Sequence, residues 1–154
     1  MANPKKVEIV NRKASFEYFF EAEIEAGIQL LGTEIKSIRA GEVNLKDAYC
    51  YFKDGNLHVK SLYIAEYKHG NQFNHEARRE RRLLLKKIEL KKLQKKVKEK
   101  GNTIVPFKLY INDRGYAKLM IALAKGKKHF DKRNSIKEKD QKRDMARMKR
   151  DYKV

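Results

Sequence analysis

A mainly β fold, built from short antiparallel strands with about two inserted helices, is what this sequence predicts, on three observations. Apolar residues recur with period two through most of the first 124 positions. Turn signals, Asp54-Gly55-Asn56 and Asn112-Asp113-Arg114-Gly115, separate strand-like runs. Apolar spacing of helical type is confined to two short stretches. A chain of this length buries one modest core, so the expected organisation is one domain over residues 1–124 and an extension over 125–154.

Taken in order, residues 17–26 place Tyr18, Phe20, Ala22, Ile24 and Ala26 on one face and Glu17, Phe19, Glu21, Glu23 and Glu25 on the other, a half-buried strand that Gly27 is expected to break. After the apolar run 28–31, Thr33 is placed to cap a short helix through Glu34, Ile35, Ile38 and Arg39 that Gly41 ends. Residues 48–53 and 57–64 read as a hairpin about Asp54-Gly55-Asn56. Residues 67–80, with His69, Gly70, Asn71, Gln72, Asn74 and His75, have little periodicity and read as a mobile loop. Leu83 to Leu85 form a brief strand. Leu90, Leu93 and Val97 fall at helical spacing among lysines, with Gly101 at the C-terminal cap. Residues 103–111 and 116–124 are a second hairpin, in which Pro106 marks an edge or a bulge. A small antiparallel barrel is the economical arrangement, because closure removes exposed edges from a sheet with few covering helices. The five-stranded oligonucleotide-binding (OB) barrel is one such fold.

Charge is distributed as unevenly as apolarity is evenly. The net charge is +18, yet residues 1–77 hold ten basic and eleven acidic side chains. Residues 78–100 hold twelve basic against three acidic, and residues 125–154 thirteen against five. Two basic blocks beside a near-neutral half point to nucleic acid, through two contacts or one long one. The last thirty residues open with GKKHFDKR, and Ser135 followed by Glu138 has the spacing of a capping box. Met145, Met148 and Tyr152 give that helix a thin apolar stripe, so the tail is expected to be disordered when free and helical on a polyanion, where its length from Asp131 would span about 30–40 Å.

Other chemistries find little support. MANPKKVEIV has no apolar leader and no run of eighteen apolar residues occurs, so a cytoplasmic protein is expected. Cys50 stands alone in DAYCYF and reads as a buried structural thiol. His58, His69, His75 and His129 lack metal-ligand spacing, although His69 and His75 in the polar loop leave a weak metal site open. GKK at 126–128 lacks the flanking residues of a phosphate-binding loop, and Asp131, Glu138 and Asp140 interleave with cations as salt-pairing residues do. The reading is a binder without a cofactor, not an enzyme.

EAGIQLLGTEIKSIRAGEVNLKDAY (25–49), RRLLLKKIELKKL (81–93), GNTIVPFKLYIND (101–113) and AKGKKHFDKR (124–133) resemble, in this order, the SsrA-binding protein (small protein B) family. The resemblance covers roughly residues 7–150. It implies an OB barrel that grips the tRNA-like domain of transfer-messenger RNA and a basic tail that occupies the empty mRNA channel of a stalled ribosome during trans-translation. Transfer-messenger RNA and small-subunit ribosomal RNA are the implied partners, with elongation factor Tu met indirectly through the charged RNA. The resemblance places Asn11, Glu25 and Leu84 at the RNA, with Lys36, Arg39 and Asn44 supporting phosphate or 2′-OH contacts. In the tail it points to Lys127, Lys128, His129, Phe130, Asp131, Lys132, Arg133, Lys137, Lys142, Arg143, Arg147 and Met148. Phe130 stands where some members have a His before the DKR element, which keeps stacking and removes a hydrogen bond, and Gln141 replaces a Trp of some tails. Two other classes fit the composition alone: another RNA-binding barrel, such as a ribosomal protein or RNA chaperone, and an RNA-processing enzyme.

Overall fold

The structure, a computed structural model, describes residues 7–70, 74–127 and Arg143. Along the chain the elements are β1 (Glu8–Val10), α1 (Arg12–Glu17), β2 (Tyr18–Ile28), α2 (Gly32–Arg39), β3 (Val43–Asn44), β4 (Tyr49–Lys53), β5 (Asn56–Lys60), β6 (Tyr63–Ile64), β7 (Arg81–Leu84), α3 (Lys87–Val97), β8 (Asn102–Ile111) and β9 (Ala117–Gly126). The large sheet has the order β1-β8-β4-β5-β7-β2-β9, and β8 also pairs with β9. That last pairing closes six strands into a ring, a barrel of OB type, with β1 added along β8. Short β3 and β6 pair separately.

Period two decides what lies inside. Cys50, Leu57, Val59, Leu83, Leu119 and Ile121 point inward and are buried, while their neighbours along each strand point outward. Burial pushes the Cys50 thiol up, as suits a structural cysteine. The β4–β5 turn carries Asp54 at φ 52° and Gly55 at φ 78°, the left-handed pair of a two-residue hairpin.

Several elements differ from the sequence-based expectation, each for a local reason. Strand β2 does not break at Gly27; it continues to Ile28, with Gly27 opposite Leu84. A bulge between Phe20 and Ala22 flips the side-chain alternation, so Phe20 leaves the face of Ile24 and Ala26. A matching shift between Pro106 and Lys108 in β8 turns Phe107 to meet Phe20, ring centroids 5.1 Å apart. These two rings and Ala14 of α1 cover Val105, Ala122 and Ala124, a small second core outside the barrel. Helix α1 was not legible because six residues carry no full apolar period. Thr33 does not cap α2: the helix starts after Leu31, whose N–H donates to Glu34 Oε1 at 2.8 Å, and Thr33 is turned to His75 instead. Asn74 anchors the irregular segment after β6. Its Oδ1 accepts from Tyr67 N at 3.1 Å and its Nδ2 donates to Tyr67 O at 2.6 Å. A Cβ at Gly70 would lie 2.7 Å from that amide, so the close approach requires glycine. His75, 4% exposed, is held by Thr33 Oγ1 at 2.8 Å and Ile64 O at 2.9 Å. Both ring nitrogens are thereby used, and the described part of this segment is pinned where a mobile loop was expected. The tail capping box at Ser135 and Glu138 lies outside the described residues.

Glu34 is fully buried on α2. Its Oε1 accepts from Arg79 at 2.6 Å and its Oε2 from Nε of Arg81, which is also fully buried. Arg81 donates further to Leu62 O at 2.7 Å and Ala77 O at 3.2 Å. Burial alone would raise the Glu34 carboxyl, but the bonds from Arg79, Leu31 N–H and Arg81 outweigh it and hold the carboxyl below its ordinary value. Glu34→Gln leaves a buried guanidinium without a counter-charge and is expected to cost about 3–5 kcal/mol in urea unfolding at pH 7. Because the folded carboxyl titrates below its ordinary 4.5, its stabilisation is present above that pH and is lost as pH falls through the lowered value. The acid limb of a stability-against-pH curve should therefore flatten in Glu34→Gln.

Candidate nucleic-acid interface

On the outer face, the strand alternation that buries Arg81 and Leu83 turns Arg82 and Leu84 to solvent. Leu84 is 52% exposed, and its Cβ would lie 3.2 Å from a Cβ at Gly27, so the glycine leaves Leu84 room to lie across β2. Around it is a groove of about 400 Å³ lined by Gly27, Leu31, Ile35, Arg39, Leu84, Tyr116 and Lys118. A second hollow of about 420 Å³ shares Gly27, Leu84 and Lys118 and adds Glu25, Lys86 and Glu89. They adjoin at Leu84, with Tyr116 64% exposed at one side; Arg39, Lys86 and Lys118 border them, and the carboxylates of Glu25 and Glu89 line the second. An apolar shelf beneath cations suits a ribose or base face with its phosphate alongside. Glu25 accepts a hydrogen bond from Tyr110 O–H, and chiefly through that bond the phenol is pushed up to about 12.

The structure sets Leu84 of β7 between the two hollows, with Arg39 of α2 lining the first and Glu25 of β2 the second. The exposure of Glu25 and Leu84 removes them from the core. Asn11 and Asn44 meet elsewhere, in a hollow lined also by Arg12 and Lys46. Both are engaged locally: Asn11 caps α1 through Ala14 N at 3.3 Å and donates to Leu45 O at 3.1 Å, while Asn44 Oδ1 accepts from Lys46 N at 2.8 Å. Lys36 stands apart, its ammonium 5.3 Å from the Tyr67 ring centroid. Lys127 belongs to the end of the barrel: its N–H donates to Glu17 O at 2.8 Å and its ammonium to Ser15 O at 3.2 Å, over the Phe19 ring. Arg143 is helical and exposed. Lys128, His129, Phe130, Asp131, Lys132, Arg133, Lys137, Lys142, Arg147 and Met148 lie outside the described residues.

The basic block 78–100 is not one surface. Arg81 is buried and Arg79 is bound to Glu34, so their charge is spent on the fold. Lys87, Lys91, Lys92 and Lys95 of α3 remain exposed, their helix seated through Leu90, Leu93 and Val97. Sequence reasoning missed Tyr110, Tyr116 and Lys118. Outward position in an alternating strand marks Tyr110 and Lys118 weakly, but only the strand register brings Tyr110 across to Glu25, 85 residues away.

A closed antiparallel barrel whose outer face carries an exposed apolar residue among charged side chains has the form of a small nucleic-acid-binding module. Within that class the chain belongs to the SmpB protein family, whose family model matches residues 8–151. It is 57% identical over 145 residues to the SsrA-binding protein of Phocaeicola vulgatus, a match covering 94% of this chain and 97% of that one. It is 47% identical over 151 residues to the SsrA-binding protein of Moorella thermoacetica, covering 98% and 97%. A chain of the solved structure "tmRNA-SmpB: a journey to the center of the bacterial ribosome" superposes with a TM-score of 0.68 at 44% identity, covering 84% of this chain and 94% of that one.

The Glu25–Tyr110 bond has a direct readout. In a ring-carbon NMR titration, one tyrosine should ionise near 12, and Glu25→Gln should return it toward the ordinary 10.

Proposed function

We propose that this chain binds the tRNA-like domain of transfer-messenger RNA and delivers it to stalled ribosomes for trans-translation. The observation that carries the reading is the exposed Leu84, shared by two adjoining hollows of which one is lined by Arg39 and the other by Glu25, residues drawn from two separate signature blocks, in a chain of the SmpB family. The relatives named SsrA-binding protein and the solved tmRNA-SmpB chain support the RNA and the ribosome as partners. Elongation factor Tu, met through the charged RNA, and a cytoplasmic setting follow from the same reading. No helix among the described residues is long and apolar enough to cross a membrane.

A stalled ribosome without a codon offers an anticodon nothing to pair with. In this reading the barrel supplies the missing anticodon-arm volume, and the groove holds the RNA by shape, stacking and phosphate contacts. The basic tail from Lys128 probes the empty mRNA channel, because its phosphate contacts there require that no mRNA strand already occupy them. Asp131, Lys132 and Arg133 form the root of that probe and Met148 an apolar contact further along. In this reading the tail is taken to begin after Lys127 and not at 125, because β9 runs to Gly126 and Lys127 is bonded to Glu17 and Ser15 of α1.

Glu25→Lys should weaken transfer-messenger RNA binding without loss of the circular dichroism signal, because the side chain is exposed. It is a cleaner probe than Asn11→Ala, which also removes a helix cap worth about 1 kcal/mol. Wild-type affinity in folded Glu25→Lys would place the RNA elsewhere. With on the order of five phosphate contacts, log K should fall against log salt with a slope of roughly −3 to −4. A slope near zero would reduce the cationic rim to a solvated surface.

Truncation after Lys127 should leave RNA binding nearly intact and stop tagging of stalled nascent chains, as measured in a reconstituted translation reaction. Charge reversal at Lys132 and Arg133 should reproduce much of the defect. Wild-type tagging by the truncated protein would refute the tail's role, and parallel loss of RNA binding would make tail and barrel one continuous site.

A further inference from the structure

The groove at Leu84 is one end of a longer outer face. Along β7, Arg82 and Leu84 point the same way, and strand pairing sets Arg82 opposite His58 and His58 opposite Tyr51. Tyr49 follows two residues along β4 on the same face. The ring centroids of Tyr49 and Tyr51 lie 6.2 Å apart and those of Tyr51 and His58 6.0 Å, so three rings form a row across two strands. Among the described residues the helices have their main packing elsewhere: α1 on β2 and β8, α2 on β6, and α3 on β8 and β9. Lys60, opposite Tyr49, is exposed, and Arg82 closes the other side with its guanidinium on Asn56 Oδ1 at 3.0 Å. Partial burial first, then the charges of Lys53 and Arg82, hold the His58 imidazole below its ordinary value, so its ring is neutral at pH 7. Beyond Tyr49, which is 43% exposed, opens a hollow of about 410 Å³ lined by Asn11, Lys13 and Lys46 among others.

We propose that Tyr49, Tyr51 and His58 form a stacking shelf for a short single-stranded segment of the RNA held at the Leu84 groove, with Lys60 and Arg82 beside its phosphates. Cross-strand aromatic pairs stabilise sheets in their own right. What assigns this row to a ligand is its open outer face, its alternation with cations and its continuity with the groove through β7. Aromatic rings interleaved with positive charge on an uncovered sheet suit unpaired bases, whose faces are free to stack, and do not suit a duplex, whose bases are already stacked. The shelf also lies between two places that the sequence singled out separately, since the hollow at its far end is lined by Asn11 and Arg82 at its near end stands two residues before Leu84 on the same face of β7. One RNA strand crossing β7, β5 and β4 would touch both.

The proposal rests on the RNA-binding reading, and the test keeps the two apart. The sequence contains no tryptophan, so Tyr51→Trp introduces a lone indole on the shelf. Titration with a six-nucleotide oligoadenylate should quench its fluorescence saturably, and a blunt RNA duplex of equal phosphate content should not. Tyr51→Ala, monitored for folding by circular dichroism, should weaken binding of both the oligonucleotide and transfer-messenger RNA roughly tenfold, with Tyr51→Phe restoring it. Absence of quenching together with wild-type affinity in folded Tyr51→Ala overturns the shelf, as does quenching by duplex alone. Glu25→Lys is measured on transfer-messenger RNA in parallel. If it weakens binding while Tyr51→Ala does not, only the shelf falls; if Tyr51→Ala weakens binding while Glu25→Lys does not, the shelf stands and the groove assignment falls.

Discussion

The rest of the structure depends on the charge cluster of Glu34, Arg79 and Arg81. It ties α2 to β7 across 47 residues and fixes the rotation of both, because a buried carboxylate and a buried guanidinium tolerate few alternative partners. With Arg81 turned inward, period two obliges Arg82 and Leu84 to face out. With Glu34 turned inward, Arg39 near the end of the same short helix stays exposed at the groove. A buried ion pair of this kind contributes less net stability than its Coulomb energy suggests, but a one-residue slip of β7 would carry Arg81 off Glu34 and turn Leu83 out of the core. Register is the quantity it protects.

The same alternation separates structure from recognition throughout the barrel. Inward residues on β4, β5, β7 and β9 are aliphatic, apart from Cys50, Phe52 and Arg81, and make one core, whereas the outward residues of β4, β5 and β7 are mostly aromatic or cationic. Where α1 covers the outer face instead, two bulges re-aim Phe20 and Phe107 to seat it, and small residues, Ala122 and Ala124, let the helix approach. The covered outer surface thus carries alanine and phenylalanine. The uncovered outer surface carries Tyr49, Tyr51, His58, Arg82 and Leu84. An RNA ligand needs this combination of flat apolar faces and fixed positive charge, and a barrel supplies it without disturbing its interior.

Net charge is a poor guide to where such a ligand sits. Of the basic block 78–100, Arg79 and Arg81 neutralise Glu34, Arg78 lies 5.6 Å over the Tyr63 ring, and Arg82 bonds Asn56. The lysines of α3 and its flanks, Lys86, Lys98 and Lys100, remain exposed, as does Arg82. The groove proposed for the RNA, beside Glu25 and Leu84, rests on the ordered blocks and not on charge, and only a few cations border it.

Much of this protein was legible in the sequence because the signals were local. Period-two runs located the long strands, Asp54-Gly55-Asn56 located the β4–β5 turn, Leu90, Leu93 and Val97 located α3, and the four ordered blocks indicated the family. Elements too short for a period, α1, β1 and β3, were not legible, and β6 was read as the end of one strand over 57–64 although β5 stops at Lys60 and β6 pairs with β3. Nor was the bulge that moves Phe20 off the face of Ile24, since a bulge is set by the partner strand. For the site, sequence reasoning named Glu25, Arg39 and Leu84 but grouped them with Asn11 and Asn44, whose side chains the structure engages in a cap and a turn. Tertiary structure alone decided which arginines are consumed by Glu34, which phenol meets Glu25 and which rings share an open face. Each of those outcomes joins residues distant in the chain through strand register, and register follows from packing both faces of every strand at once, a constraint that no single segment contains.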